Sequence, residues 1–285
     1  MKPMSLAGPV LVAVDLSEGA DEALRQADAL AHRFAAPLHV CHVLPELLRV
    51  RMLFPQLLRQ DASDLQTLER RVAGMIAARV DMVTGRSPDR YSVSIEVGSP
   101  HSGILQQAEQ IRPGVLVLGA GRVTDRVVRY APCPVLVARA SPPGKVLGAT
   151  DFSDPSLPAV ETAASEAASR GVALCLIHSI DLTPIVMTEI PMPPLPLDVL
   201  EDLQASARER LQKCLRGFDT RGECVIGNGN AASDILRAAQ DLPAELVVVG
   251  TRGRTGLVRL ALGSVAEAVL SRAHCSVLVV RLHER

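Results

Sequence analysis

An internal duplication is the feature that most constrains how this 285-residue chain can fold. The segment Gly8–Ser17, GPVLVAVDLS, is matched in the second half of the chain by Gly144–Ser153, GKVLGATDFS. The histidine that ends the next apolar run follows at the same spacing, as His42 and His178. Related runs, APCPVLV and AHCSVLV, then stand near the ends of the two halves. Matches at both ends of each half predict two copies of one fold.

Each half alternates short apolar runs, rich in Val, Leu and Ile, with longer segments of helical periodicity. Strands that alternate with helices predict an α/β fold with a parallel sheet covered on both faces. Two tandem Rossmann-like domains are therefore expected, residues 1–141 and 142–285, joined at the turn-rich sequence SPPG. The predicted strands are 9–15, 37–44, 91–97, 114–119, 133–139, 145–151, 172–179, 221–227, 244–250 and 275–281. The predicted helices are 18–35, 57–84, 101–112, 122–130, 155–170, 197–217, 231–241 and 264–273.

Composition argues against several classes of function. The net charge is −1 and the pI about 6.7, so the chain lacks the basic balance typical of nucleic-acid-binding domains. No apolar stretch approaches the ~20 residues of a membrane span, and no signal peptide is evident. The six cysteines are scattered without a CxxC pair, which favours small core residues in a reducing compartment. A cytoplasmic protein without nucleic-acid or membrane partners is predicted.

A glycine-punctuated loop in the second half carries the strongest functional signal. It spans Gly250–Ala266, GTRGRTGLVRLALGSVA, and follows the apolar run ELVVV. Glycine lets the backbone adopt positive φ and approach a ligand closely. A helix that starts after Gly263 offers unpaired N–H groups and the positive end of its dipole to an anion. This order of strand, glycine loop and helix favours a phosphate site, although similar loops also occur without a ligand.

Two other phosphate motifs fit the sequence less well. A Walker A loop needs Gly-Lys-Ser or Gly-Lys-Thr, which the sequence lacks. The segment Gly227–Ala232, GNGNAA, has the spacing of a dinucleotide fingerprint. However, the strand that follows it ends at Gly250 rather than at an acidic residue for a ribose. The loop that begins at Gly250 is therefore the preferred site.

The spacing Gly250-x2-Gly253-x9-Gly263-Ser264 resembles the nucleotide-binding motif of the universal stress protein family. The resemblance implies a tandem member of the family, each half an adenine nucleotide alpha hydrolase-like sheet of strand order 3-2-1-4-5. It also implies that ATP binds the second domain, with Mg or Mn as its companion, although no carboxylate cluster predicts a dedicated metal site. Such sheets bind ligands where the strand order reverses, between the first and fourth strands. The binding residues implied are Ala149, Asp151, Ser179, Val249, Gly250, Arg252, Gly253, Gly263, Ser264, Val265 and Ala266.

The resemblance also implies individual roles. Asp151 is expected to contact the nucleoside, although it can also close the turn before the next helix, the one role expected of its counterpart Asp15. Ser179 is expected to offer backbone groups to the base, whereas His178 is expected to be structural. Arg252 lies inside the loop, where a guanidinium can pair with phosphate or be solvated.

The two halves differ most at the glycine loop. The first half passes directly from Gly119 to Cys133, whereas the second takes a much longer path from Gly250 to Cys275. The residues that the first half lacks come from the loop itself, and Arg122 is left to attract an anion. We expect a degenerate first domain that does not bind nucleotide in this manner and has a structural role.

The expected function is that of an ATP-binding, stress-linked regulator with little or no hydrolysis. The loop contains no Asp, Glu or His to position water. The alternatives are a weak ATP hydrolase or autophosphorylating enzyme, modified at Ser264 or Thr251, and a nucleotide-independent scaffold. The apolar final strands, 134–139 and 276–282, are expected to pair between the domains as a pseudo-dimer or between two chains. The proline-rich stretch 183–197 is either a lid or partner-binding loop, or a plain connection.

Overall fold

The structure is a computed structural model. It describes residues 8–17, 19–44, 63–181, 196–218, 220–251 and 262–281, apart from a few side chains at the start of the second helix. The chain divides into two compact units, residues 5–139 and 140–285. Each unit contains a five-stranded parallel sheet and, among the described residues, four α-helices. The α/β fold class expected from the sequence is confirmed.

The N-terminal unit has its first strand in the middle of the sheet. Its strands are β1 (Val10–Val14), β2 (Leu38–Leu44), β3 (Tyr91–Val97), β4 (Val115–Gly119) and β5 (Val135–Ala138). Its helices are α1 (Gly19–Arg33), α2 (Ser63–Thr84), α3 (Pro100–Ile111) and α4 (Thr124–Tyr130). The strand order is β3-β2-β1-β4-β5, with every neighbouring pair parallel. Helices α1 and α2 pack on each other, as do α3 and α4, so helices cover both faces.

The C-terminal unit repeats this arrangement. Its strands are β6 (Lys145–Ala149), β7 (Leu174–Ser179), β8 (Gly222–Gly227), β9 (Ala244–Gly250) and β10 (Ser276–Val280). Its helices are α5 (Leu157–Arg170), α6 (Leu197–Arg216), α7 (Ala231–Asp241) and α8 (Ser264–Arg272). The strand order is β8-β7-β6-β9-β10, again all parallel. In both units the order therefore reverses between the first and fourth strands, which leaves a crevice at their carboxyl ends.

Small residues let the helix after the first strand lie close to the sheet. A Cβ added at Gly148 of β6 would come within 2.8 Å of the Ala163 Cβ in α5. Both Val146 and Leu147 of β6 are completely buried, as expected for a central parallel strand. A larger side chain at position 148 would push α5 away from the strand.

The described ends of the strands and helices lie close to the predicted ones. The largest shifts include α4, which begins at Thr124 rather than at residue 122, so Arg122 lies before the helix. The predicted helix start at 57 and residues 183–195 of the proline-rich stretch lie outside the described residues. Helix α6 begins at Leu197, as predicted. Within the described parts of the chain, no helix has the length and hydropathy needed to cross a bilayer.

Candidate functional site

A cleft of about 310 Å³ lies in the C-terminal unit where the strand order reverses. It is bounded by the ends of β6, β7 and β9 and by the first turns of α7 and α8. Nine of the residues predicted from the sequence line this cleft: Ala149, Asp151, Ser179, Val249, Gly250, Gly263, Ser264, Val265 and Ala266. The other two, Arg252 and Gly253, lie outside the described residues.

Several lining residues were not part of the predicted set. Ala231 and Ile235 form an apolar wall on one face of α7, one helical turn apart. Their helical spacing is visible in the sequence, but their place beside the cleft depends on the strand order. The remaining ones are Thr150, Ser156, Ile177, His178 and Thr251.

A hydrogen bond joins the two ends of the glycine loop. The Gly263 N–H donates to the Thr251 carbonyl at 3.0 Å, and the Thr251 N–H donates to the Val280 carbonyl at 3.0 Å. A Cβ added at Gly263 would lie 3.2 Å from the same Thr251 oxygen, tighter than most Cβ contacts. A larger residue at 263 would press on the Thr251 carbonyl, which accepts the hydrogen bond that joins the two ends of the loop.

The first turn of α8 presents backbone donors to the cleft. Gly263 is the N-cap residue and has no side chain with which to accept their hydrogen bonds. The amides of Ser264, Val265 and Ala266 belong to the turn that lacks intrahelical acceptors, whereas Glu267 N–H already donates to the Gly263 carbonyl at 2.9 Å. Three amides at the positive end of a helix dipole are suited to an anion.

The carboxylate at the end of β6 closes a turn. Asp151 Oδ1 accepts from the Ser153 N–H at 3.0 Å and from the Ser153 hydroxyl at 2.5 Å. In the N-terminal unit Asp15 Oδ1 accepts from the N–H and hydroxyl of Ser17 at the same two distances. The turn role is therefore present in both units, and Asp151 also lines the C-terminal cleft.

The histidine that follows in each unit has a structural hydrogen bond. His178 Nδ1 lies 2.9 Å from the Thr150 carbonyl oxygen, and His42 Nδ1 lies 2.8 Å from that of Val14. These bonds tie the end of the second strand to the end of the first in both units. The equivalent bond in both halves supports the structural role predicted for His178.

The Ser179 hydroxyl differs from the hydrogen-bonded side chains of Asp151 and His178. Its Oγ is buried and has no hydrogen-bond partner among the described residues. The residue itself lines the cleft at the carboxyl end of β7. The equivalent position in the N-terminal unit, directly after His42, is Val43.

An aromatic stack supports the cleft from the side of α6. The Phe152 ring lies 4.2 Å from the His178 ring, centroid to centroid, and the Arg210 guanidinium carbon lies 4.2 Å from the Phe152 centroid. Phe152 has a φ of 63°, and its counterpart Leu16 has 62°. The same left-handed turn thus occurs in both units. In the C-terminal unit its residue is aromatic and contacts the Arg210 guanidinium.

Comparison with known proteins places the chain in a family. The model of the universal stress protein family matches residues 7–139 and again residues 143–281. The chain belongs to the universal stress protein family. The tandem match agrees with the duplication seen in the sequence.

Universal stress proteins of archaea and bacteria are similar to this chain. One from Methanocaldococcus jannaschii is 34% identical over 140 residues, covering 48% of this chain and 81% of the relative. One from Mycobacterium tuberculosis is 34% identical over 174 residues, covering 57% of this chain and 53% of the relative. The match thus spans about half the length of the mycobacterial protein. A solved universal stress protein from Archaeoglobus fulgidus has the same fold, with a TM-score of 0.63, 18% identity and 98% of each chain covered.

This universal stress protein has a second cleft, of about 390 Å³, at the corresponding place in the N-terminal unit. Its loop is closed by a buried threonine: Thr124 Oγ1 accepts from the Gly121 N–H at 2.9 Å and donates to the Gly119 carbonyl at 3.1 Å. Arg122 is exposed at the edge of this cleft. The Gly121 donor is therefore already used by the protein itself.

Cysteines of this universal stress protein that lie in the described sheets are unreactive in character. Burial raises the pKa of Cys41 to about 11 and that of Cys175 to about 12, so both thiols are protonated at neutral pH. All six cysteines are free. No cluster of three or more His, Cys, Asp or Glu suited to a metal occurs among the described residues.

Proposed function

We propose that the C-terminal unit binds an adenine nucleotide, ATP, and that binding serves a stress-linked regulatory role. The observation that carries the proposal is the start of α8, where Gly263 provides no capping side chain and the next three residues line a cleft at the reversal of the strand order. The motif Gly250-x2-Gly253-x9-Gly263-Ser264 agrees with the nucleotide-binding motif that the family resemblance implies.

The phosphates are assigned to the end of the cleft formed by α8. Amides of Ser264, Val265 and Ala266 and the Ser264 hydroxyl are the donors, and Gly250 allows close approach of the backbone. We assign the loop residues Arg252 and Gly253, and a Mg or Mn ion carried by the phosphates, to the same end of the ligand. No cation site formed by the described residues is needed for this arrangement.

The nucleoside is assigned to the other end of the cleft. Ile177 and Ile235 supply apolar surface for a base, and Asp151 supplies a carboxylate for hydroxyl or amino groups. Ser179, at the end of β7, is assigned backbone contacts to the base, as the family resemblance implies. Ala149, the last residue of β6, and Val249, next to the last residue of β9, also line the cleft.

The N-terminal unit is proposed not to bind nucleotide in this manner. Its connection from β4 to α4 consists only of residues 120–123, and Thr124 occupies the Gly121 donor. A structural role for this unit follows.

Regulation rather than catalysis is proposed because the phosphate end lacks a base. Among the described lining residues the only carboxylate is that of Asp151, which we assign to the nucleoside end. Efficient phosphoryl transfer to water needs a group that orients the nucleophile near the γ-phosphate. We expect hydrolysis to be slow or absent.

A matched pair of variants tests the proposal by calorimetric titration with ATP and Mg²⁺. Gly121 and Gly263 stand at equal spacing before Cys133 and Cys275, and the Cβ direction of Gly121 is open to at least 4 Å. Gly263→Val should weaken ATP binding about a hundredfold, because the side chain presses on the Thr251 carbonyl and displaces the amides. Gly121→Val should bind ATP like the wild type. Unchanged affinity in Gly263→Val, or an equal loss in both variants, would overturn the proposal.

A further inference from the structure

The hydroxyl of Ser179 is a buried polar group that the folded chain does not use. Its Oγ has no hydrogen-bond partner among the described residues. Water hydrogen-bonds such a hydroxyl in the unfolded chain, so burying it without a partner opposes folding. Buried polar groups of this kind are few in native proteins and call for an explanation.

The fold itself does not require a hydroxyl at this position. Ser179 is the last residue of β7 and pairs with Gly227 of β8. Its counterpart in the duplicated sequence is Val43, which lies one residue before the end of β2 and pairs with Glu96 of β3. Val43 is apolar and packs towards Gly103 of α3. An apolar side chain is thus compatible with the same backbone in the other unit.

The position of Ser179 at the cleft allows its hydroxyl to reach a bound ligand. The residue lines the cleft beside Ile177, on β7, which β6 separates from β9 in the sheet. A serine side chain has three staggered positions about χ1 and exchanges between them quickly. One such rotation can take Oγ from its buried position to the cleft, where a ligand can satisfy it.

We propose that Ser179 Oγ is a specificity-determining contact that turns into the cleft on binding and hydrogen-bonds the nucleoside part of the ligand. The inference rests on the nucleotide-binding function proposed above and assigns a side-chain role where only backbone contacts were expected. The contact makes the C-terminal unit favour nucleotides over inorganic polyphosphates, because a phosphate chain held at α8 leaves the hydroxyl unsatisfied. The N-terminal unit, with Val43, cannot make this contact.

Ser179→Ala tests this role, because it removes only the oxygen. ATP and adenosine affinities should both fall about five- to tenfold by calorimetric titration, the loss expected for one hydrogen bond between uncharged groups. The unliganded variant should have a urea midpoint equal to or above that of the wild type, because no protein hydrogen bond is lost. Val43→Ser, the reciprocal change in the N-terminal unit, should leave ATP affinity unchanged.

Three results would overturn the inference. They are an unchanged ATP affinity in Ser179→Ala, a loss for ATP without a loss for adenosine, and a lower urea midpoint that reveals a structural partner. Each of these outcomes leaves wild-type ATP binding intact and so leaves the proposed function standing. Absence of ATP binding by the wild-type protein would instead remove the proposed function, and this inference with it.

Discussion

In each unit one connection leads from the fourth strand to the last helix. The two connections differ in whether a side chain of the protein pairs with their backbone donors and acceptors. In the N-terminal unit residues 120–123 join β4 to α4, and the Thr124 side chain uses both the Gly121 N–H and the Gly119 carbonyl. In the C-terminal unit the longer segment 251–263 joins β9 to α8, and Gly263 has no side chain to offer. The duplicated fold keeps the crevice in both units, whereas the availability of backbone donors depends on a few residues of one loop.

Exchanging the connections should have the largest effect. Replacing residues 251–266 by AGRVT, the sequence of residues 120–124, should leave the unit folded, since β4 and α4 are joined this way. ATP affinity should fall about a thousandfold, because at least two charge-assisted hydrogen bonds of about 2 kcal/mol each are lost. Calorimetric titration measures the affinity, and circular dichroism checks the fold. Retention of wild-type affinity would show that the glycine loop is not the phosphate site.

A buried ion network marks the next difference between the units. Arg170 donates to Glu166 and Glu245, both at 2.9 Å, and Glu245 also accepts from the Gly144 N–H at 2.9 Å. When the duplicated segments are aligned on Asp15 and Asp151, the counterparts of Glu166 and Arg170 are Leu30 and Phe34.

Arg170→Met should destabilise the protein by about 3 kcal/mol, because Glu166 is left buried without its cation. The double variant Glu166→Leu/Arg170→Phe, which copies the N-terminal unit, should recover most of this loss. Urea unfolding provides the free energies. A single variant as stable as the wild type would mean that the network contributes little.

A carboxylate and a glycine exchange places between the units. In the C-terminal unit Asp234 of α7 accepts from the Gly229 N–H at 2.9 Å, and a Cβ added at Gly227 of β8 would come within 2.2 Å of its Oδ2. In the N-terminal unit the acid, Glu96, is on the strand, and Gly103 is on the helix.

Gly227→Ala alone should cost about 2 kcal/mol in unfolding free energy, because the methyl group overlaps the carboxylate. Adding Asp234→Gly should cost less than the sum of the two single changes, since the second removes the overlap. Strict additivity in the double-mutant cycle would contradict the exchange.

The smallest effect is expected at the aromatic stack. Phe152→Leu copies Leu16, which has nearly the same positive φ, so the backbone should tolerate it. Loss of the contact with Arg210 should reduce stability by about 0.5–1 kcal/mol, as usual for an exposed cation–π pair. A cycle with Arg210→Ala should give a coupling of that size, and a coupling of zero would show that the two side chains act independently.

Much of the fold was predictable from the sequence because its signals are local or repeated. The β-branched runs, the matching segments around Asp15 and Asp151, and the helix start at Ser264 define the elements and the cleft end of the sheet. The side-chain pairing of Thr124 was not predictable, because it depends on how a short connection closes in space. The exchange between Glu96 and Asp234 also needs the strand register, which no single segment encodes.

Binding stoichiometry tests the central difference between the two units most directly. Equilibrium dialysis of the full chain with radiolabelled ATP and Mg²⁺ counts the nucleotides bound at saturation. One ATP per wild-type chain and only a small fraction of one at the same concentrations in Gly263→Val is the predicted result. Two ATP per chain, or one that persists in Gly263→Val, would contradict the assignment of nucleotide binding to the C-terminal unit alone.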